Sequence, residues 1–230
     1  MSGGSHRDRT VTTVCPNSDA AAPGTRASRD GNYRRLVAYK HRVETPGIYH
    51  VCTRGNNKRE IFVDDADRRM FLVQLNIVAA RHRWTVHAYA LMTNHYHLVI
   101  EIGDAGMARG MCQLNTGYAF GFNQRHGRIN HLLGRRYWSD RLEDERRFLT
   151  ACRYVIQNPV RAGIVESPAA YIWSSYRATI GLSLSFMTRT SNLTLACFGA
   201  PGAPTADTIA KFRRFCESQA DSSRVRWQPP

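Results

Sequence analysis

Two β-prone runs, "WTVHAYALM" (Trp84 to Met92) and "YHLVIEI" (Tyr96 to Ile102), are separated only by Thr93, Asn94 and His95. That length suits a tight hairpin, so the two runs are predicted to pair antiparallel. The hairpin also fixes the relation of two histidines. Successive strand side chains point to opposite faces, so His95 and His97 project the same way while Tyr96 points to the other side.

Other elements follow from pattern. "GIYHVCTRG" (Gly47 to Gly55) alternates as a strand does, and "NNKRE" after it supplies turn chemistry. A first helix is expected in "IFVDDADRRMFLVQLNIVAARHR", capped by Asp64 or Asp65, with Met70, Leu72, Val73, Ile77 and Val78 near helical spacing. A second fits "GMARGMCQLNTGYAFGFNQRHG", where Met107, Met111, Leu114, Tyr118 and Phe122 recur at three or four, although Gly110, Gly117 and Gly121 weaken it. A third is expected from near Asp144 to Asn158, ended by Pro159. The order strand, helix, strand, strand, helix implies an α+β fold, a mainly antiparallel sheet covered by helices.

A chain of 230 residues with 43% hydrophobic content can bury one core. Residues 1–35 are poor in apolar periodicity and are expected to form a disordered basic tail. Residues 36–182 hold the patterned domain, and 183–230 form a weakly patterned extension. The formal net charge of +14 predicts attraction to polyanions, nucleic acid ahead of membrane. No apolar stretch approaches the roughly 20 residues of a membrane span, and "MSGGSHRDRT" lacks a signal-peptide core, so a soluble, cytoplasmic protein is expected. The six cysteines are scattered singly and read as reduced structural thiols.

Two neutral imidazoles on one strand face can share a divalent metal, with a third ligand from elsewhere. The same pattern also fits one histidine in the hairpin turn and one hydrogen-bonded in the core. Among the basic residues, Arg54, Lys58 and Arg59 flank the first loop, and Arg125, Arg128, Arg135 and Arg136 follow the second helix. All of these are candidate phosphate contacts. Arg161 in "NPVRAG" suits either a phosphate or the local turn. Tyr137, Trp138, Trp173 and Tyr176 could stack on unpaired bases, although Trp173 fits core packing better.

"AYALMTNHYHLVI" resembles the strand motif "AYxLMPNHxHLL" of the REP-associated tyrosine transposases, within the HUH single-strand endonucleases. Thr93 stands where that family usually has proline. The resemblance extends to "TRGNNKREIF", "DRRMFLVQL", "GYAFGFNQRHGR", "RYVIQNPVRAGIV" and "YIWSSYRATIG", in the family's order, from about Gly47 to Gly181.

The resemblance implies a ferredoxin-like, HUH-type antiparallel sheet with helices packed mainly on one face. It implies a single tyrosine that attacks a phosphodiester of single-stranded or hairpin DNA, leaving a 5′-phosphotyrosine and a free 3′-hydroxyl. By motif position that tyrosine is Tyr118, which periodicity alone reads as a core residue on the stripe of Met111, Leu114 and Phe122. The metal is expected to be Mg2+ or Mn2+, held by His95, His97 and a polar side chain of the tyrosine helix. Asn123 fits the family's "FN" position, and Asn115 is its rival. Family members act as monomers or homodimers. The alternative is a catalytically inactive protein that holds hairpin DNA or structured RNA through its arginines.

Overall fold

The computed structural model describes residues 44–134, 136–187, 189, 193–199 and 204–218. The expected tail at 1–35 lies outside them, as does Arg135. Four strands form one sheet: β1 (Gly47–Arg54), β2 (Thr85–Leu91), β3 (His95–Ile102) and β4 (Trp138–Arg141). The helices are α1 (Asp65–His82), α2 (Ala108–Arg125), α3 (Glu145–Arg161), α4 (Tyr176–Thr179), α5 (Leu193–Ala196) and α6 (Ala206–Glu217).

The strand order is β2-β3-β1-β4, antiparallel throughout. The expected hairpin is β2 and β3, joined so tightly that the Met92 amide donates to the His95 carbonyl at 2.9 Å. The turn is pinned from outside, because the Thr93 carbonyl accepts from the amides of Ile61 (3.0 Å) and Phe62 (3.1 Å). Asp64, one of the two expected caps, begins α1: its carboxylate accepts from the Asp67 amide, and Asp67 returns the bond in a capping box.

The period of two divides β3 cleanly. Tyr96, Leu98, Ile100 and Ile102 enter the larger core with Phe71, Leu75, Met111, Leu114, Tyr118 and Phe122 from α1 and α2. Val99, on the histidine face, packs with Ala88 and Ala90 of β2 and with Phe148, Ala151, Cys152 and Val155 of α3. Helices therefore cover both faces of this α+β sheet. The sequence expectation of helices mainly on one face describes α1 and α2, and α3 occupies the other side.

Two local features run against sequence rules. Pro159 does not end α3, which continues to Arg161. Proline removes one amide donor, and this close to the C-terminus the helix loses a single bond. Gly110 and Gly117 do not break α2, because each lets the helix lie against a bulky neighbour. A Cβ at Gly110 would stand 2.2 Å from the Trp84 ring, and one at Gly117 2.5 Å from the Gln74 amide.

The C-terminal extension contributes α5 and α6, and α6 lies against α3. Gln157 donates to the Cys216 carbonyl at 2.6 Å, Arg153 donates to the Ser218 carbonyl, and the Tyr176 hydroxyl donates to Glu217 at 2.7 Å. A third apolar cluster, including Ile156, Tyr176, Phe212 and Cys216, seals this contact. No helix among the described residues is long and apolar enough to cross a membrane. The five described cysteines are free thiols.

Candidate active site

His95 and His97 share the α3 face of β3, as strand alternation requires. Pairing with β1 sets Arg54 opposite His95 and Cys52 opposite His97. His50, two residues before Cys52, lies on the same face, and its Nε2 is 3.0 Å from His97 Nδ1. The His95 and His97 rings meet edge to face, with centroids 5.0 Å apart.

The tyrosine that meets these histidines is Tyr154 of α3. Its ring centroid is 5.5 Å from that of His97 and 5.7 Å from that of His50. Asn158 follows by four residues, one helical turn, on the same side of α3, within reach of both His95 and the Tyr154 hydroxyl. Its Nδ2 is buried without a hydrogen-bond partner. The Arg161 guanidinium lies over the Tyr154 ring at 5.3 Å.

Tyr118 is not in this site. It lies across the sheet, among the rings of Phe62, Phe71 and Phe122, and donates its hydroxyl to the Ile61 carbonyl. The apolar stripe of α2 does face the sheet, but it faces Tyr96 and Leu98, whose side chains point away from the histidines. The same geometry removes both candidate asparagines of α2. Asn123 donates to the Asn130 carbonyl at 2.9 Å, and Asn115 accepts from the Tyr96 hydroxyl at 2.5 Å.

The histidine environment favours neutral imidazoles. Burial, reinforced by the charge of Arg54, lowers His95 to about 4, and burial lowers His50 to about 3. Burial, with His50, His95 and Arg54 nearby, holds His97 well below the ordinary range. Their lone pairs are therefore available at neutral pH. Burial raises Tyr154 above a free phenol, opposed by Asn158, Arg161 and Arg54.

His95 Nδ1 donates to the Asn94 side-chain oxygen at 2.7 Å, and Asn94 Nδ2 in turn donates to the Lys58 carbonyl at 3.1 Å. That second bond orients the amide and leaves His95 Nε2 as the bare nitrogen. Two imidazoles and the Asn158 amide make a donor set suited to one divalent cation, with positions left for substrate oxygens. Among the described residues there is no cluster of three or more His, Cys, Asp or Glu side chains of metal-binding form. The fit therefore depends on the amide.

The basic residues divide. Arg54 lies beside the histidines, Arg161 over Tyr154, and Lys58 and Arg59 on the exposed turn tied to Asn94. Arg59 and Arg128 line a polar cleft of about 310 Å³ with Asn57 and Asn130. Arg136 is exposed just before β4. Arg125, by contrast, is bound to Asp64 at 2.5 Å and Asp67 at 2.7 Å, so it closes the start of α1 rather than joining this rim. Trp173 and Tyr176 are buried, and Trp138 packs its edge on His50 at 5.2 Å.

Residues 45–158 match the family model for IS200-like transposases, a span that begins just before β1 and ends at Asn158. The chain belongs to the IS200-like transposase family. A solved structure described as a REP-associated tyrosine transposase bound to a REP hairpin has a similar fold, with a TM-score of 0.52 and 15% identity. That match covers 63% of this chain and 87% of the other. No curated protein matches the chain. In this IS200-like transposase, the family match takes in His50, Arg54, His95, His97, Tyr154 and Asn158, while Arg161 and the whole of α6 lie beyond it.

Sequence reasoning missed Tyr154, Asn158 and His50. "YVIQN" carries the i, i+4 spacing that puts the first two on one helix face, but Pro159 suggested a helix end just where Asn158 is needed. His50 is placed only by the β1–β3 register.

Proposed function

We propose that this IS200-like transposase is a divalent-metal-dependent endonuclease and strand transferase for single-stranded hairpin DNA, with Tyr154 as nucleophile. The observation that carries the proposal is the convergence of Tyr154 and Asn158, one turn apart on α3, on His95 and His97. His95, His97 and Asn158 would hold Mg2+ or Mn2+. The bound cation would polarise the scissile phosphodiester and offset charge developing on its oxygens.

The remaining work falls to the chain. Tyr154 Oη loses its proton and attacks phosphorus, the bond from phosphorus to the 3′ oxygen breaks, and that oxygen takes up one proton to leave as a 3′-hydroxyl, so the exchange is neutral in protons overall. The products are a 5′-phosphotyrosine and a free 3′ end. Attack by a 3′-hydroxyl on the phosphotyrosine reverses the exchange and releases the phenol, so no nucleotide cofactor is consumed. A buried phenol is a weak nucleophile at neutral pH, and the guanidinium over its ring favours the phenolate. Arg54 beside the histidines, Lys58 and Arg59 on the turn tied to Asn94, and Arg128 in the cleft with Arg59 suit phosphate contacts. The described structure of a relative bound to a REP hairpin supports DNA hairpins as the substrate class.

The test is a denaturant-resistant protein–DNA adduct, assayed with Mn2+ and labelled single-stranded hairpins. Native protein and Tyr118→Phe are expected to form it, and Tyr154→Phe is expected to form none while still binding DNA. An adduct that survives in Tyr154→Phe and disappears in folded Tyr118→Phe would refute the assignment. Tight binding without any adduct in the native protein would make the chain a hairpin-binding module.

A further inference from the structure

Outside the groups that face substrate, one buried polar contact on the histidine face has no role in the mechanism above. His50 Nε2 lies 3.0 Å from His97 Nδ1. Both residues are almost completely buried, at 0% and 1% exposure, so water does not compete for the contact. A pair of neutral imidazoles at that distance shares one proton, and its position has a chemical consequence. If His97 Nδ1 carries the proton, His97 Nε2 is a bare donor atom. If His50 Nε2 carries it, His97 Nε2 is protonated and cannot ligate a cation.

We infer that His50 is the positioning residue of this site, accepting the Nδ1 proton of His97 and thereby leaving the His97 Nε2 lone pair bare on the sheet face that carries His95 and Tyr154. The inference rests on the metal-site reading above and adds a residue to it. The neighbouring ring supplies the independent argument. His95 Nδ1 donates to Asn94 Oδ1, and the bond from Asn94 Nδ2 to the Lys58 carbonyl fixes which end of that amide accepts. His95 is thus held with Nε2 bare by a backing acceptor on its Nδ1 side. His50 stands in the same relation to His97 as Asn94 does to His95. The two rings then carry matching tautomers, and their bare nitrogens can serve one ion. An outer-shell partner of this kind also raises ligand basicity and fixes ring orientation.

His50 reaches this position by strand pairing. It sits on β1 two residues before Cys52, the direct partner of His97, and its ring is boxed by Trp138 on one side and Tyr154 on the other.

The experiment uses the full-length, metal-free protein with 15N-labelled histidine. Two-bond 1H–15N spectra report the tautomer of each ring, and His97→Gln assigns the relevant signals. The expected result is a protonated Nδ1 and bare Nε2 on His97. His50→Phe keeps the ring volume and removes the acceptor. It is expected to shift His97 from that tautomer and to weaken Mn2+ binding, measured by titration calorimetry, by about 10–100-fold. His50→Gln, which restores an acceptor oxygen, is expected to recover most of the affinity.

A protonated Nε2 on His97 in the native protein would overturn the inference. So would a His50→Phe variant with native melting temperature and native Mn2+ affinity. If His50→Phe does not fold, the tautomer in the native chain decides alone. Failure of the native protein to bind Mn2+ would remove the metal site itself, whereas an unfavourable tautomer alongside good binding would remove only the role of His50.

Discussion

The Tyr118 hydroxyl donates to the Ile61 carbonyl inside a cluster of aromatic rings, and phenylalanine in its place leaves a buried acceptor unpaired. Tyr118→Phe is expected to cost about 1–2 kcal/mol, read as a lower denaturant midpoint at constant m-value. Asp64 makes a second residue-scale prediction. Hydrogen bonds from Arg125, then from the Asp67 amide, lower its carboxyl to about 2. An unfolded aspartate titrates near about 3.9. The folded group is the depressed one, so its contribution is present above about pH 4 and is lost as pH falls toward 2. Arg125→Met removes the largest of these effects but leaves the Asp67 amide bond, so it should weaken that dependence and move acid unfolding, followed by circular dichroism in mild urea, to higher pH. The residue identities were only half legible in sequence. The period of a strand says that His95 and His97 share a side, but it does not say which helix lies over that side. Tyr118 sat on a sound helical stripe, and only the three-dimensional path of the chain shows that this stripe covers Tyr96 and Leu98 instead.

Elements were read more securely than faces. The three-residue gap between β2 and β3 left little choice but a hairpin, and the acidic residues ahead of the α1 stripe announced its capped start. The β4 strand was missed, since four residues in an arginine-rich connector carry too little alternation. Sequence rules also undervalued α2, because a helical glycine is penalised for propensity without knowledge of what lies against it. Gly110→Ala offers a direct measure of that balance. Alanine gains about 1 kcal/mol in helix propensity, while its methyl group collides with Trp84 and is expected to cost about 1–3 kcal/mol through overpacking. The expected outcome is a net loss of thermal stability with unchanged helical content, and a more stable variant would show that α2 can slide away from Trp84. In α3, continuation through Pro159 keeps Arg161 over the Tyr154 ring. The arrangement depends on α6 as well, since Arg153 and Gln157, on the residues flanking Tyr154 and Asn158, hold its C-terminal end.

For the whole molecule, the charge of +14 sets the character of binding. If Arg54, Lys58, Arg59 and Arg161 each neutralise one phosphate of a single strand, the logarithm of affinity should fall against the logarithm of salt with a slope of about −3. Fluorescence anisotropy across a salt series measures this, and Arg59→Gln should flatten the slope by somewhat under one unit. A slope near zero would show that these cations do not meet phosphate. The sheet itself separates two kinds of work, with apolar side chains of β3 toward α1 and α2 and imidazoles toward α3. Loss or gain of one residue inside β3 would therefore exchange the two sets at once, seating Tyr96 on the α3 side and driving both histidines into the oily layer. Length changes in this strand have no mild form, and natural variation in the protein should tolerate substitutions there far more readily than single-residue insertions or deletions.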